Sequence, residues 1–153
     1  MNRISIERAS PDQADQLSAI AFAAKAYWGY PERWMELWRP QLTFSPQSIE
    51  ANESWVAHSD GKLLGFYTLR DKGGNAWIED LWVLPEWIGK GIGKRLFSHA
   101  VELARQRGYQ LLRLEADPNA AGFYEKMGMY KTGERRSEVD GQPRVLPIME
   151  IRL

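Results

Sequence analysis

Residues 82–96 read WVLPEWIGKGIGKRL, and no other stretch limits the possible folds as strongly. Trp82, Val83 and Leu84 favour a strand, and Pro85, which has no N–H to give to a ladder, ends it. Gly89, Gly91 and Gly93 then lead into a helix over residues 91–107, with Ile92, Leu96, Ala100, Leu103 and Ala104 on one face and Gly108 as its stop. A helix start presents unpaired N–H groups and a partial positive charge, and glycines let a ligand approach the backbone. The loop is therefore a candidate anion cradle, with Lys90 and Lys94 adding charge beside it.

The rest of the chain can be placed around this segment. Ile4 and Ile6 alternate with polar residues over 3–8 as in a half-buried strand. Ser10, Pro11 and Gln13 form a helix start, and Leu17, Ile20, Ala21 and Ala24 continue at helical spacing until Gly29. A second helix spans 30–38, with Trp34, Leu37 and Trp38 on one face and Pro40 after it. Ser45 and Pro46 open a short third helix near 47–51. The period then changes to two: strands over 54–59 and 62–69 flank the turn at Asp60 and Gly61, and a turn over 71–74 leads to the strand 76–84. A strand over 110–116, a helix over 120–127 and strands over 129–139 and 145–153, joined at Asp140 and Gly141, complete the chain. The order predicts a mixed α/β domain with a largely antiparallel central sheet and helices on both faces, because the hairpin turns exclude an all-parallel doubly wound sheet.

Length and composition set outer limits. The 153 residues suit a single domain over 1–153. Lys plus Arg and Asp plus Glu both total 20, which gives no basic excess to attract nucleic acid or a membrane surface. The absence of cysteine removes thiol nucleophiles, and only His58 and His99 could join carboxylates in a metal site, so no metal is expected. His58 beside its turn is read as exposed and His99 as structural. The amino terminus has no apolar signal core and no apolar run reaches the ~20 residues of a membrane span, so a cytoplasmic protein is expected. A homodimer is left open.

Three phosphate-binding patterns can be set against the glycine loop. A Walker loop requires Ser or Thr after Gly-Lys, and Lys94 is followed by Arg95. A dinucleotide fingerprint G-x-G-x-x-G needs a third glycine where Lys94 or Leu96 stands. The segment resembles the signature loop of the GNAT superfamily of N-acetyltransferases, R/Q-x-x-G-x-G/A following V-x-P, through Val83, Pro85, Ile88, Gly89, Lys90, Gly91, Ile92 and Gly93. Ile88 stands where the family usually has Arg or Gln, which removes a side chain but no backbone donor. A second likeness lies in ADPNAAGFYEKMGM, residues 116–129, where Phe123, Tyr124, Glu125, Lys126 and Gly128 match the family's F-Y-E-K-x-G. The ending R-x-L-P-x-M from Arg144 to Met149 is also similar to one branch of the superfamily, and the order of elements resembles the GNAT order throughout.

The resemblance implies an acetyl-CoA-dependent N-acetyltransferase that moves an acetyl group directly to a primary amine of a small molecule or peptide. It implies that Leu81, Trp82, Val83, Lys94 and the loop residues hold the coenzyme, with Val83 N–H on the thioester carbonyl. Asn119 is a further candidate coenzyme contact, although the family's Asn falls on Asp117 by spacing; Asp117 is read as a helix cap. Tyr124 is implied as the general acid for the leaving thiolate, with packing beside Phe123 as the alternative. Glu79 is taken as the catalytic base or as a group that recognises the acceptor, on the face shared by Leu81 and Val83, and Asp80 is set aside as facing the other way. Tyr27, Trp28 and Tyr30 surround Gly29 at a break between helices and are assigned to the acceptor wall, whereas Trp34 and Trp38 are expected to pack on the sheet. Two other readings remain: a non-catalytic acyl-CoA-binding regulatory module of the same fold, and a nucleotide-binding α/β protein.

Overall fold

A computed structural model describes residues 3–153. Seven strands and five α-helices follow in the order β1 (Ser5–Arg8), α1 (Ala14–Ala26), α2 (Glu32–Trp38), α3 (Pro46–Ala51), β2 (Glu53–Ser59), β3 (Lys62–Lys72), β4 (Asn75–Val83), α4 (Ile92–Gln106), β5 (Leu111–Glu115), α5 (Ala121–Lys126), β6 (Tyr130–Val139) and β7 (Gln142–Arg152). They form one mixed sheet in the order β1-β2-β3-β4-β5-β7-β6. Every pairing among the described residues is antiparallel except β4 with β5. No helix among these residues is long and apolar enough to cross a membrane.

The centre of the sheet is buried on both faces, which is why β3 carries an unbroken buried run from Leu63 to Leu69 instead of an alternation. Leu64, Tyr67 and Leu69 pack with Leu96, Phe97 and Ala100 of α4 and with Tyr124 of α5. Phe66 and Val56 turn to the opposite face, against Leu17, Ile20 and Ala21 of α1, Met35 of α2 and Ile49 of α3. His99 on α4 joins the first core, its Nδ1 2.6 Å from the Tyr67 hydroxyl. His58 is half-buried and lies 3.2 Å from Glu7, so it is not the exposed residue that its turn suggested.

Three local differences from the sequence expectation have physical causes. In α2 the buried residue is Met35, while Leu37 is 44% exposed and Trp34 and Trp38 are half-buried, because both indoles pack on Tyr30. The last strand begins at Gln142 and includes Pro143 and Pro147. Ala116 N–H donates to Pro147 O, so that carbonyl points toward β5 and Pro147 opposite Glu134 needs no N–H for β6. Pro143 stands at the equivalent register, opposite Glu138. The third difference is that β3 continues to Lys72, paired with Asn75 across Gly73 and Gly74.

Gly65 of β3 lies tight against β4, opposite Val83. An added Cβ would stand 2.6 Å from the Trp82 carbonyl oxygen and 3.2 Å from Val83 Cα and Leu96 Cδ1. We therefore expect Gly65→Ala to destabilise the protein by about 1–3 kcal/mol in urea unfolding, since backbone must move. A variant as stable as the wild type would contradict this close approach.

Candidate active site

The site begins where two parallel strands part. β4 and β5 pair only at Ala76 with Leu112 and Trp77 with Arg113. Directly beyond, the register of β4 against β3 passes from Leu69 with Ile78 to Thr68 with Asp80, leaving Glu79 as the extra residue of a β-bulge. A bulge bends its strand and raises the local twist, so β4 turns away from β5 from this point. Leu84 N–H donates to Leu64 O at 2.9 Å, which makes Gly65 and Val83 a non-hydrogen-bonded pair. The N–H and C=O of Val83, and by the period of two those of Leu81, consequently face the gap left by β5. The gap is a cleft of about 410 Å³, lined by both of these residues and by Leu114 and Glu115 of β5.

At one end the cleft reaches the glycine loop. Gly89, Gly91, Gly93 and Lys94 line it. The N–H groups of Gly91, Ile92, Gly93 and Lys94 have no hydrogen-bond acceptor among the described residues, and no side chain caps the start of α4. Gly91 has φ +84°, and nothing lies within 4 Å of where its Cβ would project. The fifteen-residue α4 thus opens onto the cleft with free donors and the positive end of its dipole, which suits a pyrophosphate. Ile88 also lines this end. Ile92 instead points into the core, and Lys90 lies over the Trp87 ring at 4.9 Å, so their side chains do not line the cleft.

Tyr124 is buried at the floor with Phe123 edge-on at 5.1 Å, and both line the cleft. Burial, with the charges of Asp117 and Asp80, pushes the Tyr124 phenol above its ordinary range, so it stays protonated through neutral pH. No group among the described residues hydrogen-bonds its hydroxyl.

Both carboxylates reach the cleft. Asp80 faces away from Leu81 and Val83, beside Trp82, as alternation predicts, but the cleft takes side chains from both faces of β4, so Glu79 and Asp80 both line it. Glu79 is an exposed residue ion-paired with Lys72, which the longer β3 brings alongside it. Asp80 is half-buried: the loss of solvent pushes its carboxyl up to about 6, against a counteracting hydrogen bond from Trp82 Nε1 at 3.3 Å. Such a group is ionised at neutral pH and close enough to it to exchange a proton readily. Strand alternation alone sets Asp80 aside, but its place in the cleft makes it a second candidate base beside Glu79.

The acceptor-wall residues divide. Trp28 lines the cleft and is 39% exposed; Tyr27 packs edge-on against it but is 52% exposed and does not line the cleft. Tyr30 does not line the cleft; its hydroxyl is held in a polar cluster with Asp117 at 2.8 Å, Asn119 Nδ2 at 3.0 Å and Arg144 at 3.2 Å. Lys25 Nζ completes the cluster 3.0 Å from Asp117. Burial alone would raise the Asp117 carboxyl, but Lys25, the Asn119 amide and Tyr30 outweigh it and hold it below its ordinary value. Asp117 and Asn119 both line the cleft, Asp117 capping the turn Pro118–Ala120 through Asn119 N–H at 2.9 Å.

This geometry can be set beside known proteins. A sequence model of the acetyltransferase (GNAT) family matches residues 15–129, three-quarters of the chain. The chain belongs to the GNAT family. It is 37% identical over 98 residues to the peptidyl-lysine N-acetyltransferase YjaB of Salmonella typhimurium, a match that spans 63% of this chain and 62% of that protein. It is 28% identical over 121 residues to the peptidyl-lysine N-acetyltransferase YiaC of Escherichia coli, spanning 77% and 80%. The GNAT fold is shared over the whole chain with a GCN5-related N-acetyltransferase structure from Rhodopseudomonas palustris, at TM-score 0.84, 24% identity and coverage of 100% and 98%. PaiA N-acetyltransferase of Thermoplasma acidophilum, solved in complex with coenzyme A, superposes at TM-score 0.78 and 24% identity over 99% of both chains.

The environment of Asp80 has a consequence for stability. With its pKa raised to about 6, the folded GNAT domain holds a proton that the unfolded chain has released between about pH 4 and 6, so stability falls as pH rises through that window. Asp80→Asn removes the loss. We expect the variant to melt at least about 2–4 °C above wild type at pH 8, with the advantage gone below pH 4, as read by thermal unfolding at both pH values. A lower melting temperature at pH 8 would contradict a destabilised carboxylate.

Proposed function

We propose that this GNAT protein is an acetyl-CoA-dependent N-acetyltransferase that transfers the acetyl group directly to a primary amine. One observation carries the reading: the free backbone edge of β4, at Leu81 and Val83, runs from the half-buried carboxylate of Asp80 to an uncapped glycine-rich helix start. An extended amide-bearing arm would pair with that edge as a strand does, with its pyrophosphate at Gly89, Gly91 and Gly93. Coenzyme A has this shape, and acetyl-CoA supplies a thioester acetyl group. The residues present fit it.

The chain's own groups then divide the work. Val83 N–H donates to the thioester carbonyl oxygen and stabilises the charge that develops there. Asp80 takes a proton from the acceptor ammonium, leaving the nitrogen lone pair free to form the C–N bond. As the C–S bond breaks, the Tyr124 hydroxyl gives its proton to the departing sulfur, and the second proton lost by the acylated nitrogen returns through solvent to the phenolate, so the protons balance. No covalent enzyme intermediate is needed. Trp28 forms the wall on the acceptor side, and Glu79 adds negative charge near the entrance, which favours a cationic amine. The naming of YjaB and YiaC as peptidyl-lysine N-acetyltransferases supports an amine on a flexible aliphatic stem, from a peptide or a small molecule. The presence of an acid and a base in one cleft supports turnover over a binding-only module.

Two variants separate these roles. Tyr124→Phe should lower kcat about 10²-fold with acetyl-CoA affinity kept. Asp80→Asn should lower kcat/KM by a similar factor and abolish a rise in rate through pH ~6 that the wild type shows. Rates measured by thiol release across pH 5–9 check both. An unchanged kcat in Tyr124→Phe, or a persistent limb near pH 6 in Asp80→Asn, would remove that residue from the mechanism.

A further inference from the structure

The polar cluster around Asp117 joins segments far apart in the chain, and its charges do not balance. Lys25, Asp117 and Arg144 have side chains only 13%, 9% and 10% exposed. Lys25 Nζ and the Arg144 guanidinium lie 4.3 and 4.7 Å from the centre of the same Trp38 ring. Asp117 is the anion they share, 3.0 Å from Lys25 and 3.8 Å from Arg144. Without its charge two cations would be left together in a nearly dry setting, where an uncompensated charge is costly.

The partners of Asp117 bracket one residue. Lys25 lies three positions before Trp28 and Tyr30 two after it, and both are bonded to the Asp117 carboxylate, Tyr30 at 2.8 Å. On its other side Asp117 caps the turn that enters α5, seven residues before Tyr124. One carboxylate therefore ties the segment carrying the cleft wall to the segment carrying the buried phenol.

We propose that Asp117 is a positioning residue that fixes Trp28 relative to Tyr124 and so sets the width of the acceptor end of the cleft. It touches neither reacting atom. The tether itself follows from the contacts alone, whereas its effect on acceptor binding rests on the transferase reading above. Asp117→Asn keeps the size of the side chain and an oxygen for the Asn119 N–H while removing the charge. Lys25→Met breaks the tether from the α1 side and leaves the cap of α5 intact.

The experiment has a structural arm and a kinetic arm. Hydrogen–deuterium exchange over residues 25–30 should speed up about tenfold in both variants, with residues 92–106 of α4 unchanged. With n-butylamine and Nα-acetyl-lysine as acceptors, the acceptor KM should rise about tenfold in both while the acetyl-CoA KM stays within twofold. The double variant should be no worse than Asp117→Asn, because both changes cut the same tether. Unchanged exchange over 25–30 overturns the tether whatever the kinetics. Faster exchange with both KM values rising together overturns the acceptor role, since a merely structural residue would act on both substrates. If the wild type acetylates neither amine nor any other in a thiol-release screen, the transferase reading fails and the acceptor role with it, while the exchange result still decides the tether.

Discussion

The parting of β4 from β5 is the constraint on which the rest of this structure depends. Two parallel strands that stayed paired would satisfy their edges and leave no room between them. Here the ladder stops at Trp77, the bulge at Glu79 bends β4 away, and the backbone groups of Leu81 and Val83 are left facing a cleft. Unpaired backbone groups inside a protein are costly unless water or a ligand takes them. The fold accepts that cost at one place, and the glycine loop, the buried phenol and the carboxylates all converge there.

The electrostatics follow the same cleft. Asp80, just past the bulge, lines it, and burial raises its pKa to about 6. The glycine-loop end offers free N–H donors, the helix dipole and Lys94. An extended ligand with a phosphate at one end and a reaction centre at the other matches this polarity, and a cationic acceptor matches the end where Glu79, Asp80 and Trp28 stand. Asp117 also lines the cleft, and its counter-charges Lys25 and Arg144, nearly buried and outside the lining, hold it in place.

Much of this was legible in the sequence because its signals are local. Gly-rich turns beside Pro85 and the periodicity of Ile92, Leu96 and Ala100 specify strand, loop and helix within a few residues, and the hairpin turns at Asp60 and Gly61 and at Gly73 and Gly74 fix the antiparallel centre. The helix carrying Phe123 and Tyr124 was recognisable from its motif. What could not be read depends on partners distant in the chain. The bulge exists only as a mismatch between β3 and β4, and the parting of β4 from β5 is a relation between strands, so the sequence did not show that side chains from both faces of β4, Asp80 included, reach the cleft. Tyr30 looked free beside Gly29 because its partners are 87 and 114 residues away. The last strand, expected from 145, starts earlier at Gln142, because only the register shows that the missing N–H of Pro143 is not needed by β6.

The most direct test of the account is residue-resolved amide exchange by NMR on the wild-type protein, with and without coenzyme A. If the free edge of β4 is where an extended ligand pairs, the amides of Leu81 and Val83 exchange quickly alone and become protected on addition of coenzyme A. Trp82, whose backbone already faces β3, should change little. Protection of Leu81 and Val83 without coenzyme A, or fast exchange at both positions in its saturated presence, would contradict the claim that the parted strands form the coenzyme site.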